Sequence, residues 1–379
     1  MVHKALFAIS TLGLGHATRT LPIIQHYLSL GYQIDIVCYW NALNYLRTEL
    51  HGEKVRFFEL LDYPPIERGS GRSFYPMLMF DILTTMRRIH REQAFLTKLE
   101  KKNNYHFIFS DGKYGFYSSK TPCYLLTHQL SFEIPKIFKH SQIIVDYRNR
   151  QSFSHFTHIF IPDYEDPTHN LAWKLAHPRR LNKLPHSFIW ILSSFGTSKT
   201  KKQLQKPESD NPDNPDNPDN IDYLFTISWY LIEHRDNFIQ TLINQSKLLP
   251  GKKVFILWDT KQKDYYHYDS EHNIEIFGYL AGTEKIKKFT SAKVIISRAG
   301  YTTIMDLIEL QKPAILYPTP NQTEQLYLAD YLWEKKIFVK AQESDHLIDL
   351  VQKLNSLHTF PQITKTAQAI EHIYHNLPH

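Results

Sequence analysis

Short apolar runs alternate with helix-length amphipathic segments along most of this chain, and that alternation decides its fold class. In the first half the runs are Lys4–Ile9, Gln33–Tyr39, Val55–Leu60, Phe107–Ser110, Cys123–Thr127 and His158–Ile161, with helical stretches between them, notably Ala17–Leu30 and Leu78–Lys101. A second series begins at Asp222: Tyr223–Ser228, Lys253–Trp258, Ile274–Phe277, Lys293–Ser297, Ala314–Tyr317 and Ile337–Val339. Helices over Arg235–Gln245, Thr303–Leu310 and Thr323–Glu334 are interleaved with it. Continuous apolar runs are the mark of strands buried on both faces, and each connecting helix returns the chain to the same sheet edge. The expectation is therefore α/β, with two Rossmann-like parallel-sheet domains, and 379 residues suffice for both.

Between the two series the triplet Asn-Pro-Asp recurs in tandem from Asn211 to Asp219. Each proline removes a backbone donor and restricts the residue before it, while Asn and Asp favour turns, so no core element forms here. The predicted organisation is an N-terminal domain over 1–196, a linker over 197–221, and a C-terminal domain over 222–360. The tail 361–379, helical from Thr364 to Tyr374, is expected to pack back on the N-terminal domain.

Composition narrows the function classes. The net charge of +6 is modest and spread along the chain, which favours an anionic partner without forming a nucleic-acid-binding block. The two cysteines, Cys38 and Cys123, each sit in an apolar run and read as buried free thiols. No apolar stretch approaches the ~20 residues that span a bilayer.

Glycine is scarce, 13 in all, so Gly13 and Gly15 flanking Leu14 mark a backbone need. They fall between the strand ending at Ile9 and the helix near Ala17, where glycine permits close backbone approach and helical amides face an incoming group. His16 follows directly. It reads either as a locally bonded helix-terminus residue or as a substrate-facing group at a strand's C-terminal edge, where α/β sheets bind ligands. The pattern is not G-x-G-x-x-G, because Ala17, Thr18 and Arg19 follow His16 and no third glycine is present. The second strand, Ile36-Val37-Cys38-Tyr39-Trp40, also lacks the acidic residue that would hold a ribose. A nicotinamide cofactor is thereby disfavoured.

The stretch from Val294 to Leu332, VIISRAGYTTIMDLIELQKPAILYPTPNQTEQLYLADYL, is the densest in chemistry. It reads as strand, Ser-Arg-Ala-Gly turn, helix, strand, a Pro-Thr-Pro-Asn loop and a further helix. Thr302 and Thr303 in a first helical turn can cradle a diphosphate. Asp306, one turn on, suits paired ribose hydroxyls or simply complements the helix dipole. Gln325 opens the next helix.

These two regions together resemble the two-domain GT-B glycosyltransferases. Nearest in kind is the family that adds N-acetylglucosamine to the lipid-linked peptidoglycan precursor, glycosyltransferase family 28; a set of less-characterised bacterial glycosyltransferase-like proteins is nearer still in pattern. A weaker match, SDGKYGFYSSKTPCYLLTHQL from Ser110 to Leu130, resembles an acceptor-side loop and strand ending in a histidine turn. The resemblance implies two domains facing across a cleft. It places Asp306 on the nucleotide ribose, Arg298, Gly300, Thr302 and Thr303 around the donor diphosphate, and Gln325 with Glu324 on the sugar. Backbone around Gly278 would face the base. His16 and His128 would be the acceptor-side histidines, with Gly13, Gly15 and Asp111 in the acceptor-side loops.

One stretch departs from the family's pattern. The second domain opens with LFTISWYLIEHRDNF, which holds no glycine; Ser228 and Arg235 are the groups there that can reach a phosphate, whereas Trp229 and Tyr230 can fill the pocket instead.

The expected reaction is inverting, metal-independent transfer from a nucleotide diphosphate sugar, a UDP-sugar foremost, to an acceptor hydroxyl that is lipid-linked or part of a glycan. No resident cofactor and no metal are expected, since no Asp-x-Asp ends a strand, and Asp163-Tyr164-Glu165-Asp166 reads as a loop. His16 is the expected base and His128 the reserve. Competing readings are a nucleotide-sugar 2-epimerase, which wants an acidic pair not found here, and a non-catalytic binding protein. The expected setting is cytoplasmic, as a monomer or weak dimer and without nucleic acid. Peripheral contact with the inner face of the cell membrane would come through Arg72–Gln93, whose alternative role is a packed helix with a solvated basic face.

Overall fold

The computed structural model describes residues 3–63, 74–131, 142–177, 183–196, 220–227, 232–259, 262–358 and 365–378, with backbone alone at 74–82, 142, 144–145 and 232–235. The linker repeat, Ser228, Trp229, Tyr230 and the side chain of Arg235 lie outside the described residues. The chain divides into two compact units: Met1–Ser194 with Thr364–His379, and Phe195–Ile363.

In the first unit the strands are β1 (Lys4–Ile9), β2 (Gln33–Cys38), β3 (Val55–Glu59), β4 (Phe107–Asp111), β5 (Cys123–Leu126), β6 (His158–Ile161) and β7 (His186–Phe188), in the order β3-β2-β1-β4-β5-β6-β7. All pairs are parallel, with Ala5 beside Phe107 and Ile9 beside Asp111 where β1 meets β4. Helices α1 (Gly15–Ser29), α2 (Trp40–Glu49), α3 (Phe74–Glu100) and α4 (Gln142–Phe153) connect them. Ala5 through Ile9 are all fully buried, as an apolar run covered on both faces requires. Burial pushes the free thiols of Cys38 and Cys123 up to about 12, so both behave as inert core residues.

The second unit holds β8 (Ile221–Thr226), β9 (Lys253–Ile256), β10 (Tyr266–Asp269), β11 (Ile274–Phe277), β12 (Ala292–Arg298), β13 (Ala314–Tyr317) and β14 (Val339–Lys340), in the order β10-β11-β9-β8-β12-β13-β14. Its helices are α5 (Ile232–Ser246), α6 (Gly282–Ser291), α7 (Tyr301–Leu310), α8 (Thr323–Glu334) and α9 (Leu347–Lys353). Only β10 is antiparallel among the described strands.

The final helix, α10 (Thr366–Asn376), belongs to the first unit. Ala369, Ile373 and Leu377 join the core of that unit, and the Tyr374 ring stands 6.3 Å from Tyr27 on α1. Thr366 is fully buried and its hydroxyl accepts the Ser193 amide, which anchors the helix start.

Two strands escape the apolar-run rule. β10 reads Tyr-His-Tyr-Asp and is largely exposed at a sheet edge, and β7 is three half-buried residues at the other sheet's edge. An edge strand with solvent on one side needs no continuous apolar run. The strand expected over Ile337–Val339 begins instead at Val339.

Candidate active site

Strand order reverses between β1 and β4 in the first unit, and the chain exits of those two strands meet there. Ligands of open α/β sheets bind at this kind of switch point. After β1, Gly13 takes φ +84°, a conformation that favours glycine, and Gly15 opens α1. α1 then presents His16, Arg19 and Thr20 on one face, as spacings of three and four residues dictate.

All three converge on Asp111, the fully buried last residue of β4. His16 Nδ1 lies 2.7 Å from Oδ1, Arg19 Nε donates to Oδ2 at 2.8 Å, and the Thr20 hydroxyl donates to Oδ2 at 2.7 Å. A second guanidinium nitrogen of Arg19, Nη2, also bonds Oδ1. Burial pushes the Asp111 carboxyl up, but the Arg19 charge and His16 outweigh it and hold the group well below the usual carboxylate range. His16 keeps 22% of its side chain exposed, whereas Arg19 keeps 2%. The imidazole is thus the member of the group open to a substrate.

Gly112 lets this happen. It takes φ +72°, and a Cβ there would stand 2.8 Å from His16 Cε1 and 3.0 Å from Ser10 Cβ. His128, just past β5 and buried, brings its Nδ1 to 3.2 Å from Arg19 Nη1. The structure therefore gathers Gly13, Gly15, His16, Asp111 and His128 at one edge. Arg19, which entered the sequence reading only as one of the residues that are not glycine after Gly15, is the residue that ties them together. Its signal was available in the spacing His16, Arg19, Thr20 along one helical face.

A second buried group supports the loops. Asp62, after β3, accepts the Ser10 hydroxyl at 3.1 Å, the Thr11 hydroxyl at 2.8 Å and the Thr11 amide. Lys113 bridges it to Glu92 of α3, with Nζ 3.0 Å from Asp62 and 3.2 Å from Glu92. Burial pushes the Asp62 carboxyl up, but Lys113 and Thr11 outweigh it and hold the group below the carboxylate range; at Glu92 burial prevails and raises the group. Tyr63 donates to Glu92 at 2.6 Å, and Glu92 in turn accepts the Gly115 amide at 2.9 Å. Lys113 and Gly115 fall in the Ser110–Leu130 stretch, but the group assembles from four separate segments that no local pattern joins. α3 is consequently a packed helix over Glu92, Leu96 and Leu99, yet Leu83 and Met86 in its first half are exposed beside exposed Arg87 and Arg91. The stretch 72–82 of the basic segment carries no described side chains.

In the second unit the order reverses between β8 and β12. β12 ends at Arg298, and Gly300 precedes α7 with no side chain capping the helix. Glycine at the N-cap offers no side chain to the helix start, and a helix N-terminus favours an anion. Among the described residues neither backbone nor packing demands glycine at 300: φ is −73°, and a Cβ would meet Thr303 Oγ1 at 3.8 Å, an ordinary contact. Thr302, Thr303 and Asp306 are half-buried along the first turn of α7 and the next.

Arg298 is already engaged. Its guanidinium lies 4.2 Å over the Phe238 ring, 2.9 Å from Glu343 and 3.4 Å from the Pro318 carbonyl. Burial lowers its pKa, with Glu343 opposing. Gln325 is buried, and its carbonyl accepts the Thr319 amide at 2.9 Å, so it fixes the Pro-Thr-Pro-Asn loop through that end. Glu324 beside it is half-buried. Gly278, expected to offer backbone to a base, has both backbone groups in use: its amide donates to Tyr265 at 2.8 Å and its carbonyl accepts Asp259 at 2.7 Å. A Cβ there would stand 1.9 Å from the Gln262 carbonyl oxygen, so packing alone requires glycine. Trp258, beyond β9, donates to the Thr226 hydroxyl at 2.7 Å and packs edge-on against Tyr279, placing two aromatics at this edge.

Comparison with known proteins agrees with this architecture. Residues 237–375 match the glycosyltransferase family 28 C-terminal domain. The UDP-N-acetylglucosamine--N-acetylmuramyl-(pentapeptide) pyrophosphoryl-undecaprenol N-acetylglucosamine transferase of Flavobacterium psychrophilum is 25% identical over 88 residues, 22% of this chain and 23% of that enzyme. The match thus spans under a quarter of that relative's length. Among solved structures, MurG of Acinetobacter baumannii superposes with TM-score 0.55 at 14% identity, covering 100% of this chain and 99% of its own. The spinosyn rhamnosyltransferase SpnG complexed with thymidine diphosphate gives TM-score 0.60 at 12% identity, covering 99% and 97%. Phytolacca americana UGT2 complexed with UDP-2fluoro-glucose and pterostilbene gives 0.58 at 12%, covering 99% and 94%. At such identities the likeness is one of fold. The chain thus has the GT-B fold of two parallel-sheet α/β units, and its residues 237–375 are similar to the glycosyltransferase family 28 C-terminal domain.

Proposed function

We propose that this protein is a glycosyltransferase that moves a sugar from a nucleoside diphosphate sugar to an acceptor hydroxyl with inversion. The observation that carries the reading is the His16–Asp111 hydrogen bond of 2.7 Å at a sheet switch point. Asp111 takes the Nδ1 proton of His16 as its hydrogen bond, which leaves Nε2 as the basic nitrogen. Histidine exchanges a proton near neutral pH, the property a base for a hydroxyl needs. As the acceptor oxygen attacks the anomeric carbon, its proton passes to Nε2. The new C–O bond forms while the bond to the leaving phosphate breaks, and the charge departs with the nucleoside diphosphate.

In the second unit the start of α7, with the hydroxyls of Thr302 and Thr303, is the proposed seat of the donor diphosphate. No metal is invoked, because helix amides and a nearby guanidinium stabilise a developing diphosphate charge electrostatically. Asp306 holds the ribose. Arg298, pinned by Phe238 and Glu343, supplies positive potential near the diphosphate. Glu324 and the amide nitrogen of Gln325 contact the sugar. Ser228 and Arg235 complete the proposed donor set, whereas the amide and carbonyl of Gly278 are used within the fold.

A UDP-sugar is the favoured donor, supported by the curated relative, and a lipid-linked or glycan acceptor of the cell envelope is favoured on the same ground. Among the described residues no helix is long and apolar enough to cross a membrane. Leu83 and Met86 beside Arg87 and Arg91 support peripheral contact of a cytoplasmic protein with an anionic inner leaflet.

The test is nucleoside diphosphate release and product formation with a panel of uridine, thymidine and guanosine diphosphate sugars. His16→Ala is expected to lose turnover while keeping donor affinity, and Asp306→Ala to weaken donor binding. Donor binding without transfer to any acceptor would favour the non-catalytic reading, and deuterium uptake into the sugar without acceptor the epimerase.

A further inference from the structure

Arg19 touches both histidines of the first unit, and its chemistry is one-sided. A guanidinium only donates hydrogen bonds, whatever the pH of a living cell. Where Arg19 Nη1 meets His128 Nδ1 at 3.2 Å, Nδ1 must therefore be the acceptor. The ring proton of neutral His128 then resides on Nε2.

His16 is held the opposite way. Its Nδ1 has Asp111 Oδ1 at 2.7 Å and Arg19 Nη2 at 3.1 Å. The carboxylate only accepts and the guanidinium only donates, so a single nitrogen cannot satisfy both. The shorter contact is with the anion, and Nη2 is itself bonded to that same Oδ1. Two donors converging on one oxygen are thereby brought close to each other, which accounts for the 3.1 Å approach. His16 thus carries its proton on Nδ1 and its lone pair on Nε2.

We infer that Arg19, bonded at once to Asp111 and His128, holds the two histidines in opposite tautomers, so that His16 is the base and His128 is confined to donating a hydrogen bond. Arg19 acts through these neighbours and is a positioning residue. Its 2% exposure keeps water from competing for the same contacts. The assignment separates two imidazoles that the sequence presents as interchangeable. The roles of base and donor rest on the glycosyl-transfer reading above; the tautomers do not.

Long-range proton–nitrogen correlation spectra of the full chain, labelled with 15N-histidine and free of any sugar, read the tautomers directly. Signals are assigned with His16→Gln and His128→Gln. The expected spectrum above the imidazole titration shows a pyridine-like Nδ1 and a pyrrole-like Nε2 for His128, and the reverse for His16. Arg19→Met is expected to move the His128 pair toward the averaged position of a ring exchanging between tautomers. Arg19→Lys, which keeps a donating cation, is expected to restore the pyridine-like Nδ1. A protonated Nδ1 on His128, or a protonated Nε2 on His16, in the unmodified protein overturns the inference, even if the variants fail to fold. The predicted tautomers in a protein that transfers no sugar to any acceptor would uphold the inference and sink the glycosyltransferase reading alone.

Discussion

His16 and Asp111 stand 95 positions apart in the chain and 2.7 Å apart in space, joining the first turn of α1 to the last residue of β4. The contact orients an imidazole whose other nitrogen remains to receive a proton. Replacing Asp111 by Asn removes the anion but keeps the shape. Turnover in Asp111→Asn is expected to fall ~10²- to 10⁴-fold, the usual worth of a positioned acid–base group, with donor affinity nearly unchanged. Steady-state kinetics with calorimetric donor binding checks both halves.

The same carboxylate links stability to pH. Its folded-state pKa lies below the unfolded value of about 3.9, so its contribution is fully present above that value and is lost as pH falls through the folded pKa. The stability gap between the native protein and Asp111→Asn is expected to be largest near neutral pH and to narrow steadily below about pH 4. Denaturant midpoints measured over a pH series test this; a gap that stays constant into strong acid contradicts it.

Gly112 is the backbone element that admits His16. In Gly112→Ala the new methyl meets His16 Cε1 at 2.8 Å on a residue already at φ +72°. The left-handed conformation costs roughly 1–2 kcal/mol for an L-residue. Turnover is expected to fall by more than tenfold, because the imidazole must move to make room and small misplacements cost large factors in rate. Thermal unfolding alongside activity separates the two effects.

Gly278 tests a different expectation. Its neighbour Gln262 presents a backbone oxygen 1.9 Å from any added Cβ, and backbone cannot swing aside as a side chain can. Gly278→Ala is expected to destabilise the protein by about 1–3 kcal/mol, as overpacking does, in the absence of any nucleotide. Denaturant unfolding without ligand reads this directly. A variant of native stability that binds donor poorly would return Gly278 to the ligand side.

Much of the architecture was legible in the chain because β1, β5 and β13 are covered on both faces and read as apolar runs, and β2, β4 and β12 are buried along most of their length. The exposed edge strand β10, Tyr266 to Asp269, carries no such mark and was missed. Glycines drew attention where they cluster, at Gly13 and Gly15. Isolated Gly112 and Gly115 did not, although a Cβ on either would strike a neighbour within 3 Å. Arg19 was noticed only as one of the residues after Gly15 that are not glycine.

The order of apolar and polar residues along the chain was enough to specify two parallel sheets and the helix starts beside His16 and Thr302, since these follow from local periodicity and short spacing. Which groups meet at the strand ends was decided only in three dimensions. Arg19 and Asp111 are 92 positions apart, Arg19 and His128 are 109, and Asp62 and Lys113 are 51. Partnerships across such separations arise when parallel strands bring their C-terminal ends to one edge, and no local pattern encodes which buried charges will share a carboxylate there.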